Sequence, residues 1–305
     1  MLLRAARRLA STAAADGVRI NWQKFTPRKG VNPGATPLLL IHGFACGADD
    51  WGSLARAIAT KSNREVLSFD NRGVGGSSSP SGPYTVDLMA QDALQVLDSA
   101  NVARAHVLGI SLGGMIAQTL ALAAPERVHG LVLGCTTHGG REAPAPAGDF
   151  VSLAMRWAGD DSCPPNENVA VDDFLSWMLP AEAAATPSGA QLVEHLKQFF
   201  RQTPRTAVGL QGQLAAMGRF NSTEKLVALG RHPTLVIAGD ADAVVPAANS
   251  ESLHRRIPGA ELVMRPGAGH FFWADKPAEC SATLAAFLSR CDQPGSGLKV
   301  VRGLS

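Results

Sequence analysis

An excess of charge of one sign, long apolar runs and paired cysteines are all missing from this 305-residue chain. Lys and Arg number 28 against 26 Asp and Glu, a formal net charge of +2, and no long Lys/Arg block occurs. Nucleic-acid binding therefore has no electrostatic support. No uninterrupted apolar stretch is long enough to span a bilayer, so no integral membrane segment is expected. The five cysteines (Cys46, Cys135, Cys163, Cys280, Cys291) are odd in number and include no C-x-x-C pair. That argues against a disulfide framework or a zinc site and suits a reducing compartment, with most thiols serving as small buried hydrophobes. Cys46 and Cys135 fall near predicted strand ends, in position to line a pocket. No cluster has metal-ligand spacing, and Gly73-Val74-Gly75-Gly76 lacks the following Lys-Ser/Thr of a phosphate loop. Neither a metal nor a cofactor is expected.

What is present is apolar: 46% hydrophobic and 18% charged residues, enough for a large core in one domain with an insertion. The first fifteen residues stand apart. They carry Arg4, Arg7 and Arg8, Ser11, Thr12 and many alanines, with no acid before Asp16. On a helix Arg4, Arg8 and Ser11 share one side and Leu2, Ala6 and Leu9 another. Residues 1–15 are thus read as an organelle transit peptide, with a mitochondrial address, or as a disordered start to a cytoplasmic protein.

Short apolar runs recur along the rest. Strands are expected at Val18 to Thr26, Leu38 to Ile41, Val66 to Phe69, from Ala105, at Leu131 to Leu133, Thr234 to Ala238 and Leu262 to Met264. Helical patterns fall at Trp51 to Ala59, Thr85 to Ala100, Met115 to Ala123 and Ala278 to Ser289. Alternation of this kind implies a mainly parallel sheet with helices on both faces. Between Gly139 and about Gly230 there are only helical patterns, at Phe150 to Trp157, Val171 to Met178, Ala190 to Phe200 and Arg205 to Met217. We read residues 16–138 and 231–291 as an α/β core, 139–230 as a helical cap over the strand ends, and 292–305 as a loose tail. The cap holds Trp157, Phe174, Trp177, Phe199 and Phe200, most of them expected to pack the cap and a minority to face a cleft.

The run Gly109-Ile110-Ser111-Leu112-Gly113 follows an apolar strand and opens a helix. A serine hydroxyl is a poor nucleophile unless it is presented, deprotonated and its developing charge stabilised. A tight strand-to-helix turn presents it, with glycines two residues either side to avoid collision. A base held by an acid is then required. Gly239-Asp240-Ala241-Asp242 follows the Thr234 strand, and Gly267-Ala268-Gly269-His270 follows the last one. The order Ser, Asp, His, each just beyond a strand, is that expected for the G-x-S-x-G turn.

With these motifs the chain resembles the α/β-hydrolase superfamily, over about Leu38 to Leu288. The matching stretches are His42-Gly43-Phe44, Asp70-x-Arg72-Gly73-x-Gly75-x-Ser77, the Ser111 turn, Gly239-x-x-Asp242-x-x-x-Pro246 and Gly269-His270. It is most similar to the esterase, enol-lactonase and cofactor-free haloperoxidase branch. The resemblance implies Ser111 as nucleophile, His270 as general base and acid, Asp242 as the acid orienting His270, and the backbone N–H groups of Phe44 and Leu112 as the oxyanion hole. It also implies a structural role for His42, while Asp70 and Arg72 are expected to knit a turn below the site. Asp240 is the rival acid, disfavoured by the spacing to Pro246. His138 is placed to touch substrate, Glu142 is a poor substitute acid, and His106, inside a strand, is expected in the core.

The implied activity is acyl transfer to water on a small to medium, largely apolar ester or lactone. Phe44, Leu112, Met115, Val244 and Phe271 lie in or beside the motifs, and no basic residue does. The same three residues also serve thioesterases, carbon–carbon bond hydrolases, and receptors of the same fold with slow turnover. Serine rather than aspartate at position 111 argues against epoxide and haloalkane hydrolysis.

Overall fold

The computed structural model describes residues 6–14, 16–146, 148–159, 168–274 and 276–293. Eight strands form one sheet: β1 (Ala6–Ala13), β2 (Arg19–Thr26), β3 (Leu38–Ile41), β4 (Val66–Phe69), β5 (Ala105–Ile110), β6 (Val128–Gly134), β7 (Thr234–Gly239) and β8 (Glu261–Arg265), in the order β1-β2-β4-β3-β5-β6-β7-β8. The β1–β2 and β2–β4 pairs are antiparallel and the remaining five are parallel. Every residue of β3, β4, β5 and β7 is buried, as strands covered on both faces require.

Register brings the carboxyl ends level. Ile41 lies opposite Gly109, Ile110 opposite Gly134, and Gly134 opposite Ile237. The loops leaving β3, β5, β6, β7 and β8 therefore open along one edge, where a site assembled from distant segments can form.

The helices are α1 (Leu54–Ser62), α2 (Val86–Ser99), α3 (Leu112–Ala123), α4 (Gly148–Gly159), α5 (Asn168–Met178), α6 (Ala181–Ala184), α7 (Pro187–Gln202), α8 (Ala207–Arg219), α9 (Leu226–Leu229), α10 (Ala248–Arg256) and α11 (Pro277–Cys291). Helix α1 packs on α11 and α2 on α3. Thr85 starts α2 by accepting the Leu88 N–H at 3.1 Å, a cap that satisfies one of the amides a helix start leaves open.

Helices α4 to α9 lie between β6 and β7. Among them α4 packs on α8 and α5 on α7. Helix α5 buries Val171, Phe174, Leu175 and Met178, one stripe at helical spacing, and Phe174 stacks on Trp157 at 4.9 Å. Thr206 caps α8 through the Gly209 N–H at 3.1 Å. Gly209 in turn meets Gly73 so closely that a Cβ on Gly73 would stand 2.7 Å from the Gly209 Cα. The helical insert is thereby seated on the loop between β4 and α2.

Both chain ends differ from the sequence reading. Residues 6–13, read as part of a transit peptide or a disordered start and laid out on a helix, form strand β1, paired with β2 over eight positions. The ladder that β2 offers outweighs the helical preference of an alanine-rich segment. Residues 1–5 lie outside the described residues. At the other end Asp292, assigned to a loose tail, is tied down: its carboxylate meets His106 Nε2 at 3.0 Å and Arg64 Nη2 at 3.1 Å. Residues 294–305 lie outside the described residues, as does Cys163. Helices α6, α9 and α10 were not expected. Two of them have only four residues, too short to show a period.

Candidate active site

Ser111 sits between β5 and α3 with φ 53° and ψ −122°, a backbone conformation that side-chain-bearing residues rarely adopt. The glycines around it are required by contact. A Cβ on Gly109 would stand 2.0 Å from the Gly113 carbonyl oxygen, and one on Gly113 would stand 2.1 Å from that of Ile41. The turn is held by hydrogen bonds: the Ser111 N–H donates to the Gly134 carbonyl at 3.0 Å, and Thr136 Oγ1 donates to the Ser111 carbonyl at 2.7 Å. Strain at a residue so fully constrained is characteristic of functional turns.

His270 and Asp242 arrive from the loops after β8 and β7. His270 Nδ1 lies 2.8 Å from Asp242 Oδ2, and both side chains are buried. Asp242 Oδ1 accepts the N–H groups of Val244 and Val245 at 2.8 and 2.9 Å. Asp240 points elsewhere: it is exposed and accepts the Gly267 N–H at 2.7 Å. Burial by itself disfavours a charged His270 ring, but the adjacent Asp242 carboxylate outweighs it and holds the imidazole well above its usual range.

The loop after β3 passes directly over the serine. A Cβ on Gly43 would lie 3.0 Å from Ser111 Cβ and 3.6 Å from its Oγ. Phe44 follows, and Ala45 adopts φ 60°. On the other side Leu112 opens α3, so its N–H is among those an α-helix leaves without an intrahelical acceptor. Phe44 thus adjoins the glycine that packs on Ser111, and Leu112 is the chain neighbour of Ser111.

Ser111 and His270 line one cavity of about 730 Å³. Its wall is mostly apolar, with Phe44, Met115, Phe150, Phe174, Leu214 and Phe271 among the contributors. Of the cap aromatics singled out in the sequence, Phe174 reaches the cavity, whereas Trp157 is buried behind it. Sequence reasoning missed Phe150, which no motif marks, and two arginines in the wall, Arg141 and Arg219. Those arginines lie at the cap side and make the cavity less uniformly uncharged than the motifs alone suggest.

Cys46 lines the cavity, and Cys135 lies against the pair beneath it, its sulfur within 4.8 Å of both the Asp242 carboxylate and the His270 ring. Burial pushes both thiols up, so they stand as neutral groups. A second clustering, His106, His129 and Asp292, surrounds the C-terminal tie. There the Arg64 guanidinium already neutralises the carboxylate, which disfavours a cation.

The remaining sequence candidates are occupied elsewhere. His42 accepts the Gly43 N–H through Nδ1 at 2.8 Å, packs on Trp51, and is held by burial at a pKa of about 3. Asp70 ties the loops below the site, accepting from the Ala48 N–H at 2.6 Å and the Gly76 N–H at 2.8 Å. Arg72 grips Asp92 through two nitrogens and Asp16 through a third. His138 meets Ser252 Oγ at 3.1 Å and the Gly139 carbonyl at 2.8 Å and does not reach the cavity wall. Glu142 pairs with Arg256, and His106 is buried.

This arrangement has known counterparts. The chain is 32% identical over 267 residues to the Azorhizobium caulinodans RutD protein, to which carbamate hydrolysis is attributed, covering 86% of this chain and 95% of that one. It is 29% identical over 277 residues to a poly(3-hydroxyalkanoate) depolymerase of Ectopseudomonas oleovorans, covering 86% and 89%. The enol-lactonase of Burkholderia xenovorans LB400 has the same fold, with a TM-score of 0.78 at 23% identity over 92% of this chain and all of that one. The family model for the alpha/beta hydrolase fold matches residues 36–277, and the chain belongs to that family.

Proposed function

We propose that the protein is a serine hydrolase acting on small to medium, largely apolar carboxylic esters or lactones through an acyl-enzyme. The observation that carries this reading is the Asp242–His270 hydrogen bond beside an apolar cavity that both His270 and Ser111 line. In the proposed cycle His270 takes the Ser111 proton as Oγ attacks the carbonyl carbon. Asp242, fixed by two backbone amides, keeps Nδ1 protonated, leaves Nε2 free to act as base, and stabilises the imidazolium. The amides of Phe44 and Leu112 receive the oxyanion, each such donor being typically worth about 3 kcal/mol of transition-state stabilisation. His270 then protonates the leaving alcohol and, in the second half, activates the water that releases the acid.

One relative is named a poly(3-hydroxyalkanoate) depolymerase and another a carbamate hydrolase, and attack of a serine on a carbonyl carbon would suit both kinds of substrate. Both support an acyl-transfer chemistry. Reaction with a fluorophosphonate, followed by peptide mapping, tests the assignment. Exclusive labelling of Ser111, lost in Ser111→Ala, is expected; labelling at another serine, or none in folded protein, refutes it. A panel of p-nitrophenyl esters of increasing length, lactones, thioesters and carbamates then ranks substrates. We further propose that the arginine-rich start serves as a mitochondrial address, checked by fusing the first thirty residues to a fluorescent protein; a diffuse cytosolic signal refutes it.

A further inference from the structure

The peptide segment expected to hold the oxyanion is fastened from above by the helical insert. Ala45, the residue after Phe44, has both backbone polar atoms taken by side chains of the insert. Its N–H donates to Gln213 Oε1 at 3.0 Å, and its carbonyl accepts from Arg205 Nε at 2.5 Å. Gln213 and Arg205 are buried, as is Ala45 itself. Each anchor is secured in turn. Gln213 Nε2 donates to the Arg72 carbonyl at 2.9 Å, and Arg205 Nη2 reaches Asp50 Oδ2 at 3.3 Å while its guanidinium lies 4.5 Å from the Phe200 ring. Asp50 Oδ2 also accepts the Gly47 N–H at 2.7 Å, closing the loop on itself.

Ala45 is held at φ 60°, a region that costs free energy for any residue with a side chain and persists only when the surroundings impose it. Local sequence supplies no such constraint, since the two anchors lie 168 and 160 residues away. The Ala45 N–H shares its peptide plane with the Phe44 carbonyl, so the clamp restrains Phe44 from its C-terminal side, while the close approach of Gly43 to Ser111 restrains the preceding plane that carries the Phe44 N–H.

We infer that Gln213 and Arg205 are positioning residues for catalysis, through which the helical insert sets the geometry of the oxyanion hole at Phe44. The inference rests on the serine-hydrolase reading given above. On this view the insert does more than choose substrates: it completes the catalytic machinery, and an active site without it lacks one aligned donor. Donors contribute only when placed within a few tenths of an ångström of the developing oxyanion, so a loosened Ala45 peptide weakens the transition state while leaving ground-state binding intact.

The test compares the wild type with Gln213→Leu, and with Gln211→Ala as a control on the same helix; Gln211 is exposed and, among the described residues, bonds within the insert, to the Ala158 carbonyl. Gln213→Leu is expected to lower kcat on p-nitrophenyl butyrate by about 10- to 100-fold with KM changed by less than about threefold, since one donor is misaligned rather than removed. Fluorophosphonate labelling of Ser111 should slow by a similar factor, and amide exchange over residues 43–48 should accelerate. Gln211→Ala should leave all three unchanged. If Gln213→Leu does not fold, Gln213→Asn, which withdraws the acceptor by one methylene, carries the same expectation. A folded Gln213 variant with kcat, labelling and exchange like the wild type overturns the inference. So does a loss confined to KM, or one shared by Gln211→Ala. Absence of Ser111 labelling in the wild type instead overturns the hydrolase reading, and exchange over residues 43–48 then decides the clamp by itself.

Discussion

Asp242 gives one carboxylate oxygen to His270, at 2.8 Å, and the other to the Val244 and Val245 amides, so the acid that faces the imidazole is itself held in a fixed orientation. Asp240, two residues earlier, is spent on the Gly267 amide. Replacing Asp242 with Asn is therefore expected to cut kcat by about four orders of magnitude, because the amide favours the wrong histidine tautomer. Asp240→Asn should change it by less than tenfold. Steady-state kinetics on an activated ester distinguishes the two, and the opposite ranking refutes the assignment.

The same pair fixes the sign of the pH dependence. In the role proposed for it His270 must be neutral, and although burial opposes its charge, the Asp242 carboxylate and the neighbouring Cys135 sulfur raise its pKa above the ordinary 6.5. The acid limb of kcat/KM should therefore lie above that of a free imidazole, with activity lost as pH falls through it. In Asp242→Asn, burial remains without the carboxylate, so the limb of the residual activity should move to lower pH. Because the folded pKa is raised, the pair's contribution to stability is complete below the unfolded value and declines as pH rises through the folded one.

Gly113→Ala places a methyl group 2.1 Å from the Ile41 carbonyl oxygen, a backbone atom that cannot turn aside. We expect a loss of at least about 3 kcal/mol, the range of severe core overpacking. Chemical denaturation measures it; a variant as stable as the wild type contradicts the packing described for the turn.

Phe150 reaches the cavity wall from α4, where its ring contacts among the described residues are Phe174 and Trp177 rather than the Ala45 clamp or His270. Phe150→Ala should change the ratio of kcat/KM between short and long acyl esters by about 1–3 kcal/mol. Labelling of Ser111 by a small phosphonate should persist. An unchanged ranking in folded protein places the acyl pocket in the α/β body instead.

Asp292 ties the C-terminal end of α11 to the sheet far from the site. Burial opposes its charge, but the His106 hydrogen bond, the Thr36 amide and the Arg64 charge prevail and hold its carboxyl down to about 2, against the ordinary 3.8. Because the folded pKa is depressed, the contribution of this carboxylate to stability is present above the unfolded pKa and lost as pH falls through the folded one. Asp292→Asn should lower Tm at pH 7, with a smaller difference near pH 2.5, and leave ester turnover unchanged.

The parts of this protein legible in its sequence are those whose cause is local. Leu38 to Ile41 and Val66 to Phe69 are strands because four consecutive apolar residues fit a sheet covered on both faces. Gly109, Ser111 and Gly113 fall within one five-residue motif after an apolar strand, so the turn at Ser111 announces itself, although the contact that Gly113 avoids is with the distant Ile41 carbonyl. The motif spacing likewise singled out Asp242 over Asp240, although the bond to His270 spans 28 residues. What the sequence could not determine depends on neighbours brought in from afar. Residues 6–13 become a strand only because β2 presents an open ladder. Asp292 joins the core only because Arg64 and His106 converge on it. Gln213 reads as an ordinary polar residue on an amphipathic helix, and nothing near it hints at a buried amide to satisfy. Its role is decided by a backbone group 168 positions earlier in the chain, through the general requirement that buried polar groups find partners.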